Sequence, residues 1–555
     1  MEQALHSRAL QARRLGLNTT PTLSAVIAAL LFPSVIWIFK EQMVWPWDQA
    51  WYAEVALGLA HAAGEGPVAW LQAMLHLPSF KAPLLQWLAQ ASTGLAGMLG
   101  SYERSFLLLN VALNAATLAL VFSAVLRLHG SLLAGLAAVL LCGGASLFIA
   151  MTHQFVVEPL QALTIAGLMR LSLEAGRLPT MRLTAATAIW VALAILAKTT
   201  SVGFIAPFLV YIVLVRLIES RGPVPAAGWR DRMLAGIAAL TVVAAVTWYA
   251  VNWSNVLAHI RNATVSDVAL HYGSIGTLGS KLRFWSTSLL HAVTPWPFLG
   301  YATALVVAAA LGIGVVRTLR MPIPAWFSAL AASGTLFALC LFGTVAAGLL
   351  SYASQINEET RFLTPMIPLI AVLVGWSLST VRQEWLAAMA VVLFAGNTVA
   401  GHLHAHGAIS LSPFNSPWLK PYQVEPASVR RLEQAVRLSC DPKPPRRFTI
   451  VGVEKLDFNA NSAAFFSEKQ KGVLGYRCAY TSLGYAERDL DRAVKRLQEL
   501  ADYFVTLPTG EIPDDPKDFL NQVSKPMAEW IANSPDWERI TDPAAPAQVF
   551  RRRQR

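Results

Sequence analysis

The chain has 555 residues, of which 55% are hydrophobic and only 14% are charged, whereas soluble domains carry roughly 25% charged residues. The apolar residues come in repeated blocks, and each block is long enough to cross a hydrocarbon core of roughly 30 Å. This composition excludes a cytosolic enzyme, a coiled coil and a disordered chain. The net charge of +11 has to be interpreted by position before it indicates a partner.

Hydropathy predicts a polytopic α-helical membrane protein with about eleven transmembrane helices. The predicted spans are about 22–39, 105–126, 131–151, 159–173, 183–200, 202–218, 233–251, 297–316, 323–347, 362–380 and 385–400. With the N-terminus inside, the inner connections carry fourteen Lys or Arg residues, and the longer outer segments carry eight. The positive-inside rule therefore predicts a cytoplasmic N-terminus. No small residues follow the first span, so we expect an uncleaved anchor.

The first outer segment, 40–104, is too long for a turn and too apolar to be disordered, so we expect it to fold on the membrane surface. It begins with Asp48 among tryptophans, directly before a helix-like run. Asp48 is interpreted either as a helix N-cap or as a general base at the membrane boundary, and the two roles are compatible. Lys81 lies at the start of an apolar helix, where an anionic headgroup would compensate its charge and where snorkelling is the alternative.

Further charged residues fall at the predicted outer ends of spans. Glu158 precedes span four, and it is interpreted as a functional acid or as a helix-start acid before Pro159. Lys198 ends span five and Arg361 begins span ten, and snorkelling would explain either of them alone. Their common depth and side with Asp48 and Lys81 favour a shared site. His153 and Glu158 are the alternative candidates for a divalent-metal site, although no third ligand accompanies them.

Composition changes after about residue 400. Residues 1–400 are assigned to the transmembrane domain, 401–426 to a proline-rich linker and 427–555 to a water-soluble domain. The patterns predict strands at 447–453 and 503–507 and helices at 486–501 and 516–532, which indicates a small α/β domain. Eleven spans place this domain outside the cytoplasm, where Cys440 and Cys478 could form a disulfide.

The residues at the outer ends of the spans carry a family resemblance. The chain resembles the membrane-embedded GT-C glycosyltransferases over about residues 20–380, in particular the branch of protein O-mannosyltransferases and the lipid A aminoarabinose transferase. The matching elements are Asp48 before Trp51-Tyr52-Ala53, then Lys81-Ala82-Pro83-Leu84-Leu85, Arg104, Glu158, Leu196-Ala197-Lys198-Thr199 and Arg361-Phe362-Leu363-Thr364-Pro365. No element is specific alone, so the weight lies in their common order and topology.

The resemblance implies transfer of a sugar, with inversion, from a polyprenyl-phosphate carrier to an acceptor on the outer face of the bacterial cytoplasmic membrane. It implies Asp48 as general base, with Glu158 as the remaining carboxylate. Lys81 and Arg361 would bind the lipid phosphate, with Lys198 and Arg104 as further donor-binding cations. The implied partners are membrane lipids, the lipid-linked sugar and an acceptor lipid, glycan or protein, with no nucleic acid.

This sequence also departs from the family pattern. Glu158 stands where relatives often have Asp, Ala82 replaces the first proline of a Pro-Pro pair, and Phe80 occupies a position where a metal-binding relative would have an acid. The sequence therefore predicts no cofactor, and a divalent metal stays an alternative.

Three other classes of protein compete with the glycosyltransferase. A transporter or flippase would need charges near the membrane midplane and broken helices. An O-antigen-type polymerase or ligase would also use outer arginines, but that class usually lacks an acid in the first outer loop. A non-catalytic scaffold would be indifferent to replacement of Asp48.

The arginine distribution predicts that residue 70 and the C-terminus both lie outside the cytoplasm. A reporter that is active only in the cytoplasm should be inactive when fused after Trp70 or after Arg555. Activity after Arg555 together with inactivity after Trp70 would contradict an odd number of spans.

Overall fold

The apolar runs of the sequence fold as long helices. The structure is a computed structural model that describes residues 2–129, 131–219, 228–323, 326–381, 383–410, 418–440, 448–474, 478–484, 486–515 and 518–553. Several sequence-based assignments lie outside these residues: the inner arginines Arg221 and Arg382, the linker prolines Pro413 and Pro417, Arg447 at the start of a predicted strand, and residues 516–517 of a predicted helix.

The described chain is mostly helical. In chain order the helices are α1 Glu2–Lys40, α2 Trp47–Glu65, α3 Pro67–His76, α4 Leu84–Ser92, α5 Ala96–Leu99, α6 Tyr102–His129, α7 Leu132–Gly143, α8 Ser146–Thr152, α9 Glu158–Ser172, α10 Thr180–Ala197, α11 Val202–Glu219, α12 Trp229–Thr264, α13 Asp267–Leu270, α14 Leu278–Val293, α15 Pro297–Leu319, α16 Trp326–Ala332, α17 Thr335–Ala353, α18 Met366–Val381, α19 Glu384–Ala405, α20 Pro426–Leu438, α21 Ala460–Leu474, α22 Leu490–Leu500 and α23 Ser524–Asn533. The strands are β1 Phe448–Val451, β2 Ala479–Ser482, β3 Ala501–Thr506, β4 Trp537–Arg539 and β5 Gln548–Arg552.

The chain divides into two compact units. The first, here called the transmembrane unit, contains Met1–Phe39, Ser79–Leu85 and Leu107–Pro421. The second, here called the C-terminal unit, contains Lys40–Pro78, Gln86–Phe106 and Tyr422–Arg555. Most of the first outer segment therefore packs in one unit with the C-terminal part of the chain.

The transmembrane unit confirms a multi-pass helical membrane protein. Within the described residues, nine helices are long and apolar enough to cross a membrane, and the bent pair α7 and α8 would make a tenth. Helix is present at all eleven predicted positions. The predicted fourth span is shorter than a membrane crossing requires. Its helix, α9, has only 15 residues and would extend about 22 Å, against a hydrocarbon core of roughly 30 Å.

Two breaks in the helices have identifiable causes. The axis bends by 61° between α7 and α8, where a Cβ on Gly144 would lie 2.1 Å from the Thr398 hydroxyl of α19. This close approach requires glycine. The span predicted at 323–347 is instead divided into α16 and α17 at Gly334, whose φ of +71° suits glycine.

The C-terminal unit contains the expected small α/β domain. Its five strands are ordered β2-β1-β3-β5-β4, with β1 parallel to β2 and β3, and β5 antiparallel to β3 and β4. Alternate side chains enter two apolar clusters: Val451 and Val505 pack with residues of α20 and α21, and Ile450 and Phe504 pack with residues of α22 and α23. Helices thus cover both faces of the sheet, as parallel strands require.

The sequence patterns located part of this domain. The strands predicted at 447–453 and 503–507 correspond to β1 and β3, and the two predicted helices correspond to α22 and α23 with later starts. The helices α20 and α21 and the strands β2, β4 and β5 were not predicted. The Cys440–Cys478 disulfide is present, with Cα atoms 5.4 Å apart, which confirms that expectation.

The disulfide predicts a thiol count. The unreduced, denatured protein should react with alkylating reagent at Cys142 and Cys340 only, and reduction should expose Cys440 and Cys478 as well. Mass spectrometry of the alkylated protein measures this. Replacing both bridged cysteines with Ala should destabilise the C-terminal unit by up to about 4 kcal/mol, because the bridge closes a loop of 38 residues. Four reactive thiols before reduction would contradict the bond.

Candidate active site

A buried ionic cluster joins three segments of the transmembrane unit. Glu158 begins α9, Lys198 directly follows α10, and Arg361 lies in the turn Thr360–Leu363 before α18. Lys198 Nζ lies 2.8 Å from Glu158 Oε1, and Arg361 Nε lies 3.6 Å from the same oxygen. Glu158 is only 1% exposed. The fold thus brings together three of the residues that the sequence nominated.

Aromatic rings and a second acid surround the two cations. Lys198 Nζ lies 4.0 Å from the centre of the Phe362 ring, and the Arg361 guanidinium lies 5.4 Å from the Trp418 ring. These distances are typical of cation–π contacts, which strengthen where water is excluded. Arg361 also donates to Glu359 Oε2 at 2.9 Å. The cations are therefore held in fixed positions, as the binding of an anion would require.

A glutamine lies beside this cluster on α9. The Gln161 side chain is fully buried, and its amide contacts the hydroxyls of Thr200 and Ser201 at 3.2 Å each. The turn Thr199–Ser201 directly follows Lys198. Glu158 and Gln161, three residues apart on one helix, therefore contact the same short segment. A polar residue inside a predicted span is a functional signal, but Gln161 was not among the site residues predicted from the sequence.

Lys81 lies in the transmembrane unit as well. It precedes α4 at a half-exposed position, 5.8 Å from the ring of its neighbour Phe80. Phe80 packs edge-on against His259, with ring centres 5.2 Å apart. Phe80, which departs from the acid expected in a metal-binding relative, thus packs against another aromatic ring.

His153 is engaged away from Glu158. Its ring stacks on Trp37 at 4.1 Å, and its Nε2 lies 3.0 Å from the Ser34 hydroxyl. Within the described ranges, no three side chains of His, Cys, Asp or Glu lie close enough together to hold a metal ion. The described side chains therefore supply no three-ligand site of the kind that structural and catalytic zinc sites use.

Asp48 lies in the C-terminal unit. Its helix, α2, begins at Trp47 with Pro46 at the N-cap position and has no side-chain capping bond. Asp48 is therefore the second residue of the helix rather than its N-cap, and its charge interacts favourably with the helix dipole. Asp48 is half-buried.

The start of α2 is anchored to the α/β domain within the same unit. Trp47 has a φ of +32°, which is rare for a bulky residue and costs about 1–3 kcal/mol. Its indole donates to Glu454 Oε2 at 3.1 Å, and Ser462 donates to the Trp45 carbonyl at 2.6 Å. The strained turn before Asp48 is thus held by residues far along the chain. No local sequence pattern predicts these contacts.

Arg104 has a structural contact in the C-terminal unit. Its guanidinium donates to the Leu99 carbonyl at 2.9 Å, at the end of α5. A cation at this position satisfies a free helix carbonyl and complements the dipole. Of the six residues proposed for the acid and phosphate roles, Glu158, Lys198, Arg361 and Lys81 belong to the transmembrane unit, and Asp48 and Arg104 belong to the C-terminal unit.

Solved structures share this architecture. ArnT from Cupriavidus metallidurans bound to undecaprenyl phosphate is 14% identical to this chain with a TM-score of 0.55, and the match covers 96% of this chain and 98% of that one. Its apo state matches at 13% identity and a TM-score of 0.54, with the same coverage. The fold is that of the GT-C glycosyltransferases. The arabinofuranosyltransferase AftD from Mycobacteria matches at 12% identity and a TM-score of 0.52, over 96% of this chain but only 40% of its own length. No protein-family model and no curated protein matches by sequence.

The Glu454 carboxyl predicts a pH-dependent stability for the C-terminal unit. Burial raises its pKa from 4.5 to about 7, although the hydrogen bonds from Ala460 N–H and Trp47 oppose the shift. A raised carboxyl pKa means that folding favours the protonated form, so this stabilisation is complete below about pH 4.5 and is lost as the pH rises through about 7. The unfolding free energy of the wild type should therefore fall, relative to Glu454→Gln, between those pH values.

Urea-dependent proteolysis of the full-length protein in detergent at several pH values measures this difference. Comparison with Glu454→Gln removes the contribution of every other titrating group. Glu433→Gln, at a half-exposed position of α20 in the same unit, is the matched control and should keep the wild-type pH dependence. Parallel curves for the wild type and Glu454→Gln would contradict the raised pKa.

Proposed function

We propose that the protein is a glycosyltransferase that moves a sugar from a polyprenyl-phosphate donor to an acceptor on the outer face of the bacterial cytoplasmic membrane, with inversion. The observation that carries the proposal is the buried cation pair of Lys198 and Arg361, held at the ends of apolar helices in a GT-C fold. Preorganised cations in a poorly hydrated site act on a phosphate far more strongly than cations in water.

Each candidate residue has a role in the proposed reaction. Asp48 takes a proton from the acceptor as the acceptor atom attacks the anomeric carbon. The bond from that carbon to the phosphate oxygen breaks, and its electron pair leaves with the lipid phosphate. Lys81 and Arg361 bind this phosphate and stabilise its growing charge, with Lys198 and Arg104 as further cations. Glu158 balances Lys198 and is the alternative carboxylate.

Three further observations support this proposal. The structurally similar ArnT was crystallised with undecaprenyl phosphate, which favours a lipid phosphate as the donor class for this chain. The charged cluster lies where helices begin and end, not in their middle, and this favours surface transfer over passage through the membrane. The positive-inside distribution favours a cytoplasmic N-terminus and an outer C-terminal unit.

Asp48→Asn should abolish transfer and leave donor binding intact. The amide keeps the size of the side chain but cannot accept a proton, and a general base contributes typically about 10²–10⁴-fold. The purified variant should still copurify with a polyprenyl-phosphate lipid, identified by mass spectrometry. Glu65→Gln, at the exposed other end of α2, is the matched control and should keep its activity.

Lys81→Ala and Arg361→Ala should lose the copurifying lipid as well as activity. Each replacement removes a positive charge that faces the phosphate in both the ground state and the transition state. Near-normal turnover of Asp48→Asn would remove Asp48 from the mechanism and leave Glu158 as the remaining carboxylate. Absence of any polyprenyl-phosphate lipid from the wild type, with no binding of added undecaprenyl phosphate, would contradict the proposed function itself.

A further inference from the structure

Two buried polar groups on α9 lack a hydrogen-bond partner. Glu158 Oε1 accepts a hydrogen bond from Lys198, while Glu158 Oε2 has no hydrogen-bond partner among the described residues. The Gln161 Nε2 group donates to the hydroxyls of Thr200 and Ser201, while Gln161 Oε1 has no hydrogen-bond partner within the described chain. Both residues are at most 1% exposed.

These two groups belong to one place in the fold. They lie three residues apart on α9, so their side chains occupy the same face of the helix. The partnered end of each side chain contacts the segment from Lys198 to Ser201. The unpartnered ends therefore mark a single polar spot beside the cation pair.

Unpaired buried polar groups are costly. Leaving a buried acceptor unsatisfied costs about 1–3 kcal/mol, and more if the acceptor is charged. Such a group calls for an explanation, and one explanation is a bound species that supplies the missing partner. The ligand can be classified by its hydrogen-bonding groups, because a carboxylate accepts but does not donate.

The phosphate of a lipid carrier does not fit this spot. An ionised phosphodiester has acceptor oxygens only, so it would repel Glu158 Oε2. A sugar hydroxyl both donates and accepts, and a sugar amino group donates. A hydroxyl can also pair with either orientation of the Gln161 amide. The unpartnered groups therefore match the sugar part of the donor and not its phosphate.

We propose that Gln161, together with Glu158 Oε2, binds the sugar of the lipid-linked donor by hydrogen bonds to its hydroxyl or amino groups. This inference rests on the proposed function and assigns to Gln161 the recognition of the transferred group. The neighbouring cations, Lys198 and Arg361, would then bind the phosphate. The same part of the fold would thus bind both groups that are joined by the bond that breaks, the sugar and the phosphate.

A metal cation is the competing occupant, since both unpartnered atoms are oxygens. Lys198 and Arg361 lie 2.8 Å and 3.6 Å from the other oxygen of Glu158, and their positive charges repel a third cation. A carboxylate that is already neutralised by two cations is also a weak metal ligand. The sugar is therefore the favoured occupant, and a chelator separates the two cases.

Binding to the full-length protein tests the inference. The probes are undecaprenyl phosphate and its glucose, mannose and aminopentose esters, each measured with and without EDTA. The wild type should bind at least one ester more tightly than the bare phosphate. Gln161→Met keeps the length of the side chain and removes its polar end, so it should weaken binding of that ester about 5- to 10-fold and leave binding of bare undecaprenyl phosphate unchanged.

Unchanged binding of the bare phosphate shows that Gln161→Met is folded. Thr344→Val is the matched control, because Thr344 is a buried polar residue of α17 that bonds to its own helix at Cys340; it should bind all probes as the wild type does. Equal effects of Gln161→Met on ester and bare phosphate, no effect on either, no preference of the wild type for any ester, or loss of the preference in EDTA would each overturn the inference. A wild type that binds none of the four lipids would instead overturn the proposed function.

Discussion

The need to neutralise buried charge governs the transmembrane unit. A charge removed from water into an apolar interior is tolerated only with a partner. Glu158, Lys198 and Arg361 come from segments separated by up to about two hundred residues, and their mutual contacts tie the start of α9, the end of α10 and the start of α18 to one point. The same contacts leave one carboxylate oxygen unused. The interaction that stabilises the unit thus also creates its polar site.

A comparable constraint acts in the C-terminal unit. Helix α2 packs along α21 of the α/β domain, and the contacts of Trp45 and Trp47 with Ser462 and Glu454 fix the strained turn at which the helix starts. Asp48 follows this turn directly. The α/β domain therefore has a clear structural role inside its own unit, since it determines the backbone position from which Asp48 projects.

Features with a local cause could be predicted from the sequence. A run of about twenty apolar residues predicts a membrane-spanning helix whatever its surroundings, and helix is present at all eleven predicted positions. The β-branched and aromatic runs of β1 and β3 are equally local. The short span at α9 was predicted with nearly the observed bounds, whereas the break at Gly334 was not predicted, because tertiary packing decides it. The contact of Trp47 with Glu454 joins residues 407 positions apart, so no sequence pattern reveals it. Charged residues at helix ends were recognisable as candidates, but their partners were not.

The pairing of the cations bears on how such a site would accelerate a reaction. Arg361 is held by Glu359 and lies beside the rings of Phe362 and Trp418, and Lys198 is held by Glu158 and lies over Phe362. In the proposed reaction negative charge grows on the leaving phosphate. Cations that are already in place need not reorganise as this happens, so their attraction strengthens toward the transition state, and only such differential interactions raise the rate. Free, hydrated lysines at the same depth would also attract the lipid before the reaction. Ordering their side chains would cost conformational entropy, which would offset part of that attraction. The acid partners, which appear at first to compete with the phosphate, are therefore what makes the cations effective.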